Sequence, residues 1–338
     1  MKILIYMRKK NARFFSIEKL FNLLSEEMKK DNDIKVVNVP FNSSMPFGVF
    51  GNMIFAFVHS RVSVADAYHI SGDIHYLALV LRWKKTILTI HDLGYKSRKS
   101  KFKSWVYDQL WFKLPCYLSA QITVVSEFTK HNLLTKFNVN KSKLQVVSNF
   151  YDPELKFNNY SRVLECEHSC NVLQIGTKDN KNLSRIIDAI ENSRDDSLVL
   201  HIVGQLTNKQ LEQLTKRKIN YKNYVGLSNF ELYSLIHSSE IITFVSLFEG
   251  FGMPIIEGNV LGVPVITSDL EPMVSVAGGS CILVDPHNIN EISSAISNLK
   301  IDQDLRHKLI SRGIVNAEKY SISTIVDEYY KVYKKVVE

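Results

Sequence analysis

With 338 residues the chain is long for a single hydrophobic core, and two domains of about 150 residues are expected. Hydrophobic content of 45% and charged content of 22%, with no low-complexity block and no solenoid repeat, exclude disordered and fibrous classes. The net charge of +8 favours an anionic partner (nucleotide, polyphosphate, nucleic acid or acidic membrane), and four cysteines are too few for a disulfide scaffold.

In chain order, "KILIYM" (2–7) reads as a buried strand. "SIEKLFNLLSEEMKK" (16–30) places Ile17, Leu20, Phe21, Leu24 and Met28 at helical spacing. "IKVVNV" (34–39) is a second strand. The apolar run at 45–58 falls short of the roughly 20 residues that a bilayer span needs. "DAYHI" (66–70), "KTILTIHD" (85–92) and "AQITVVS" (120–126) are further strands, with helical stretches between them. Residues 146–170 are turn-rich and read as a linker between domains.

The alternation then restarts. "NVLQIG" (171–176), "LVLHIVG" (198–204), "NYVG" (223–226), "EIITFVS" (240–246) and "VPVITSD" (263–269) read as strands, with helices over 182–193 and 228–239. The last stretch is amphipathic, with Ile325, Val326, Tyr329, Val332 and Val336 on one face. The expected architecture is α/β: two doubly wound, Rossmann-like domains, residues 1–160 and 161–320, facing each other across a shared cleft. A helix over 321–338 is expected to pack back on the first domain. Ligands of open α/β sheets lie beyond the carboxyl ends of the strands, which makes the cleft the default site.

The stretch "SLFEGFGMPIIEGN" (246–259) is the most informative. It reads as strand, loop and helix, with Pro254 in the first helical turn, where its missing N–H costs nothing. Gly250 and Gly252 allow a tight turn and close approach of a ligand. N–H groups near Gly252, Met253 and Ile255 are expected to be free at the helix start and to suit a phosphate. Glu249 and Glu257 would repel a phosphate directly. They are therefore expected to accept hydrogen bonds from hydroxyls on either side of it, a sugar and a ribose. The plainer alternative is a loop with an acid that favours the helix dipole.

"EGFGMPIIE" resembles the Glu-x7-Glu motif of the retaining glycosyltransferases of family 4, which have the GT-B fold. "QIGTKDNKNLSRIIDAI", "LVLHIVG", "NYVGLSNFELYSLIHSSEIITFVS", "TIHDLGY", "TVVSEFTK" and "VVSNFYDP" agree with the family in order and spacing. The resemblance implies that Glu249 contacts hydroxyls of the donor sugar and that Glu257 binds the nucleotide ribose. It places Lys181 on the diphosphate, with main-chain N–H groups near Gly252 and Met253, in the loop formed by Gly250, Phe251 and Pro254. It places Gly176, Thr177 and Lys178 in the same phosphate loop. Many members have arginine where this chain has Thr177, and Lys178 is expected to substitute as a point charge. Backbone groups around Gly226 and Leu227 are expected to meet the base. His91 is expected beside the transferred sugar, or else to be a structural strand-end histidine.

Where many members have paired glycines, the first βα loop carries Arg8, Lys9, Lys10 and Arg13, read as phosphate charge or as a solvated basic loop. No cofactor and no catalytic metal are expected. "DND" at 31–33 reads as a surface turn rather than a metal site of Asp31 and Asp33, and Cys166, His168 and Cys170 lack a fourth zinc ligand. The implied reaction moves a hexose from a UDP- or GDP-sugar to a glycan or lipid-linked acceptor in surface polysaccharide synthesis. A nucleotide-sugar 2-epimerase of the GT-B fold and a non-catalytic peripheral membrane module that binds nucleotide-sugar are the alternatives.

Residues 95–113 are basic with interleaved aromatics and a single acid, Asp108. Phe102, Trp105, Val106 and Leu110 are placed on one helix face, suited to an anionic membrane surface. The other reading packs the aromatics inward. No nucleic-acid module accompanies the stretch, and nucleic acid is not an expected partner. The expected location is cytoplasmic, including the inner face of the cell membrane.

Overall fold

The computed structural model describes residues 1–9, 16–94, 101–155 and 169–338. Lys10, Arg13, Cys166, His168 and the first six residues of 95–113 lie outside the described residues. The chain divides into two compact units, Met1–Phe150 with Ile322–Glu338, and Tyr151–Ser321.

The first unit holds six parallel strands: β1 (Lys2–Met7), β2 (Asp33–Asn38), β3 (Ala67–Ile70), β4 (Thr86–Ile90), β5 (Gln121–Val124) and β6 (Leu144–Val146). Their order across the sheet is β2-β1-β3-β4-β5-β6. Ile3 to Met7 are all buried, the pattern of a central parallel strand covered on both faces. On one face lie Phe21, Leu24 and Met28 of the helix Ser16–Met28, spaced to reach Ile3, Ile5 and Ile34. The helix Ile322–Val337 covers the same face with Ile325, Tyr329, Val332, Tyr333 and Val336.

That helix is also held by a buried polar ladder. The Tyr333 hydroxyl lies 2.8 Å from His69 Nδ1, and His69 Nε2 lies 2.6 Å from Thr89 Oγ1. Thr89 Oγ1 lies 2.6 Å from Thr123 Oγ1, so the ladder crosses β3, β4 and β5. Burial holds the His69 pKa down to about 3, and the ring is neutral.

The apolar run 45–58 belongs to a helix, Pro46–Val62. Among the described residues, no helix is long and apolar enough to cross a membrane. The segment 101–118 is helical with a π-helical turn at Gln109–Lys113. Its aromatics divide. Tyr107 stacks on Trp111 at 4.7 Å and Phe112 is buried against Phe137, whereas Phe102 and Trp105 are 72% and 59% exposed. Of the four residues expected on one helix face, Phe102 and Trp105 are exposed, whereas Val106 and Leu110 are half-buried and Leu110 lies in the π-helical turn.

The second unit also holds six parallel strands: β7 (Cys170–Ile175), β8 (Leu198–Val203), β9 (Tyr221–Tyr224), β10 (Ile241–Phe244), β11 (Val265–Ser268) and β12 (Ile282–Val284). Their order is β12-β11-β10-β7-β8-β9. The strand expected at 223–226 runs two residues earlier, and β6 and β12 are additions to the sequence reading. Thr207 and Ser228 close capping boxes with Gln210 and Glu231 and so start their helices. The order reverses at β7, since β8 and β9 extend one way and β10 to β12 the other. The loops after β7 and β10 therefore diverge and leave a crevice at the carboxyl ends of these two strands.

Candidate functional site

Both of those loops carry expected site residues. After β7 comes a short 3-10 turn, Asp179–Lys181, and the helix Leu183–Ser193. After β10 comes the loop to the helix Met253–Leu261. Lys181 Nζ donates to Glu249 Oε1 at 2.6 Å, with the two side chains 21% and 15% exposed. The ammonium also stands 4.6 Å from the centre of the Phe244 ring. Two residues 68 apart in sequence thus form one ion pair at the switch point.

Asn180 locks the two loops together. Its Nδ2 donates to the Phe248 carbonyl at 3.1 Å and to Glu249 Oε1 at 3.3 Å. Its own carbonyl accepts from Leu247 N at 2.8 Å. Gln174, fully buried in β7, donates to the carbonyls of Gly176 at 3.2 Å and Lys181 at 2.9 Å. These contacts fix the backbone from which Lys181 and Glu249 project. Neither Asn180 nor Gln174 is among the residues expected from sequence. The signal was present in Gln174, a polar residue inside an apolar strand, which must find partners when buried.

Gly176 lies directly against this pair. A Cβ there would sit 2.9 Å from Lys181 Cγ, so the lysine side chain crosses the glycine. Thr177 turns aside: its Oγ1 donates to the Gln205 carbonyl at 2.7 Å, and its carbonyl accepts from Gln210 Nε2 at 2.8 Å. Lys178 is the residue before the 3-10 turn. Gly226 and Leu227 follow β9, two strands from β7 and hence roughly 10 Å away at ordinary strand spacing.

The helix Met253–Leu261 begins at Gly252 (φ 135°), with Pro254 in its first turn. One expectation fails here. Ile255 N is not free, because it donates to the Gly252 carbonyl at 3.0 Å, closing the first turn. Phe251 is buried edge-on to Tyr320 at 5.6 Å and anchors the loop rather than lining it. Glu257 is half-buried one turn into the helix. Gly258 does not merely weaken that helix. A Cβ there would meet Val265 Cγ2 at 2.6 Å and Ile242 Cδ1 at 2.8 Å, so the helix lies close on β10 and β11 only with glycine at this point.

His91 belongs to the first unit, directly after β4. Its Nε2 lies 3.4 Å from Ser71 Oγ, at the end of β3, and Phe21 packs edge-on to its ring at 6.0 Å. Burial, then the neighbouring His75 and Arg8, hold its pKa down to about 3, so the ring is neutral. Arg8, at the end of β1, pairs with the buried Glu18. Among the described residues, no three His, Cys, Asp or Glu side chains group as metal ligands. Asp31 lies in the turn before β2 and Asp33 starts that strand.

Residues 28–155 match the family model of Glycosyltransferase Family 4, and residues 171–315 match that of Glycosyl transferases group 1. The MMP alpha-(1->4)-mannosyltransferase of Mycolicibacterium hassiacum is 27% identical over 229 residues, 64% of this chain and 54% of that protein. The O-antigen chain mannosyltransferase B of Escherichia coli is 28% identical over 173 residues, 48% of this chain and 45% of that protein. The chain spans about half the length of these two relatives. Among solved structures, Anabaena Alr3699/HepE in complex with UDP and glucose has a TM-score of 0.79 at 13% identity. The match covers 99% of this chain and 100% of that one, and it speaks to the fold alone.

Proposed function

Since the chain belongs to the group 1 and family 4 glycosyltransferases and has the GT-B fold, we propose that it transfers a hexose from a UDP- or GDP-sugar. The acceptor is a hydroxyl of a glycan or lipid-linked oligosaccharide in surface polysaccharide synthesis. The observation that carries this reading is the Lys181–Glu249 pair, 2.6 Å apart, at the switch point of the second sheet. A lysine ammonium has three donors and Glu249 takes one, which leaves others for a diphosphate. Negative charge grows on that diphosphate as the glycosidic bond breaks, and a fixed cation stabilises it more in the transition state than before. Glu249, oriented by Lys181 and Asn180, accepts from a hydroxyl of the donor sugar. Glu257 accepts from the ribose, and Gly252 and Met253 offer main-chain N–H groups to phosphate. Gly226 and Leu227 meet the base.

His91, held neutral, donates or accepts a hydrogen bond at the transferred sugar without adding charge. The reaction retains the anomeric configuration and uses no metal, as the family resemblance implies. The names of the mannosyltransferase relatives and the UDP and glucose in the HepE complex support the substrate class. A lipid-linked acceptor would bring the protein to the inner face of the cell membrane, with the basic residues of 101–113 towards anionic lipid.

A thermal-shift screen of UDP-, GDP-, ADP- and dTDP-sugars tests the donor, because a ligand of the native state raises the melting temperature. One nucleotide series should stabilise the protein, and the matching sugar should be consumed only with an acceptor present. Conversion of the donor alone, or no shift with any nucleotide, would overturn the reading.

A further inference from the structure

The helix Pro46–Val62 carries apolar side chains on its outer as well as its inner side. The face turned to the protein carries Gly48, Asn52, Ala56 and Ser60, flanked by Val49, Met53 and Phe55, which pack against the core. Gly48 is required there, since a Cβ would stand 1.9 Å from the Asn42 carbonyl oxygen. Asn52 is satisfied by the Phe41 backbone and the Tyr76 hydroxyl. The outward face carries Phe47, Phe50, Ile54 and Val58, which are 89%, 65%, 51% and 53% exposed. Spacings of three, four and four residues put them in one stripe along about three turns. At about 200 Å² per phenylalanine, Phe47, Phe50 and the 37% exposed Phe57 alone show roughly 400 Å² of apolar surface.

Charge identifies what covers this stripe. Residues 39–65 contain no Asp or Glu. Arg61 continues the stripe, its guanidinium 3.4 Å over the Phe57 ring. The Tyr68 hydroxyl lies 3.1 Å from the Ser60 carbonyl and 3.3 Å from that of Ser63, and Lys84 Nζ stands 5.4 Å over the Tyr68 ring, so Lys84 lies beside the helix end. Next to it Trp83 is 69% exposed with Arg82 4.0 Å over its ring. On the other side, Tyr76 joins Asn52 to Trp111 of the basic segment 101–113, its ring 5.1 Å from the indole. A phenylalanine stripe without acids, with arginine, lysine and an exposed tryptophan at its end, matches an anionic lipid interface. There apolar side chains enter the acyl boundary and cations meet headgroups.

We infer that the outward face of the helix Pro46–Val62 lies in the surface of an anionic bilayer, with Arg61, Arg82 and Lys84 on the headgroups. This rests on the proposed lipid-linked acceptor only for its purpose and extends it by naming the inserting element.

The test is co-sedimentation of the full chain with vesicles of phosphatidylcholine alone or mixed with phosphatidylglycerol. The wild type is expected to pellet with the anionic vesicles. The combined variant Phe47→Gln/Phe50→Gln/Ile54→Gln should bind at least roughly tenfold more weakly, the loss expected when inserted apolar groups are removed. Arg61→Glu/Arg82→Glu should remove the preference for phosphatidylglycerol. Wild type left in the supernatant at low salt, or a glutamine variant that binds equally, would overturn the inference. So would a lipid-free wild type that sediments as a dimer while the glutamine variant is a monomer, which would assign the stripe to a second copy. The nucleotide-induced thermal shift, read on the same samples, reports the donor site separately. Its failure in the wild type would overturn the proposed reaction, whatever the vesicles show.

Discussion

Replacing Lys181 by methionine tests the site at its centre. The side chain keeps its length and its path across Gly176 but loses the ammonium that meets Glu249 at 2.6 Å. Glu249 retains Asn180 Nδ2 at 3.3 Å and some solvent, so the folding cost should be only about 1 kcal/mol. For a unit of this size that lowers the melting temperature by about 2–4 °C. The effect on ligand should be larger. A charge-assisted bond to a diphosphate is worth about 2 kcal/mol, a loss of about 30-fold in affinity. At a nucleotide concentration of about 100 times the wild-type Kd, the wild type gains about 2.7 kcal/mol and the variant only about 0.9 kcal/mol. The ligand-induced rise should therefore fall from about 5–11 °C to about 2–4 °C. Melting curves of both proteins with and without UDP and GDP measure this. A methionine variant with the full wild-type rise would show that Lys181 does not meet the diphosphate.

Glu249→Gln should keep the nucleotide-induced shift while transfer falls by about 10²–10³-fold, as when a transition-state contact is lost; unchanged transfer contradicts the role. Glu257→Ala should weaken nucleotide binding about 5–30-fold, read by calorimetry, through loss of a bond to the ribose. Gly258→Ala forces a methyl against Val265 and Ile242 and should destabilise the second unit by about 1–3 kcal/mol in urea unfolding. His69 supplies a pH prediction. Its folded pKa is lowered from 6.5 to about 3, so the unfolded chain binds a proton that the folded one refuses. Its contribution to stability is complete above pH 6.5 and is lost as pH falls towards 3, at about 1.4 kcal/mol per pH unit within that window. His69→Gln should flatten the slope of unfolding free energy against pH between 6.5 and 5, and identical slopes would contradict this.

The strands that are apolar throughout were readable to the residue or nearly so, β1 most clearly, because burial on both faces leaves no polar interruption. β6 and β12 are only three residues long and partly exposed, too short to show a period. The helix Pro46–Val62 showed in the sequence only as an apolar run. Hydrophobic period reports burial within the chain, and this helix exposes Phe47, Phe50, Ile54 and Val58 while Val49, Met53 and Phe55 pack inward, so it is apolar all round. At the site, the glycine-bearing loop singled out Glu249, and the resemblance to family 4 implied Lys181. Their contact with each other follows from the order of β10 and β7 in the sheet, which no local pattern encodes. The closed first turn at Ile255 is not legible in the sequence, because a backbone carbonyl three residues upstream, that of Gly252, satisfies an N–H that a helix start alone would leave unpaired.

The first unit is finished by residues 322–338, which follow the whole of the second unit in the chain. At ordinary synthesis rates of about 5–20 residues per second, residues 151–321 take roughly 10–30 s to emerge. Throughout that interval Ile5, Phe21 and Ile87 lack the cover of Ile325, Tyr329 and Val332. On the ribosome the order of maturation is thus reversed: the half made first is the last able to complete its core, and one apolar face of its sheet stays partly uncovered until the final helix has emerged.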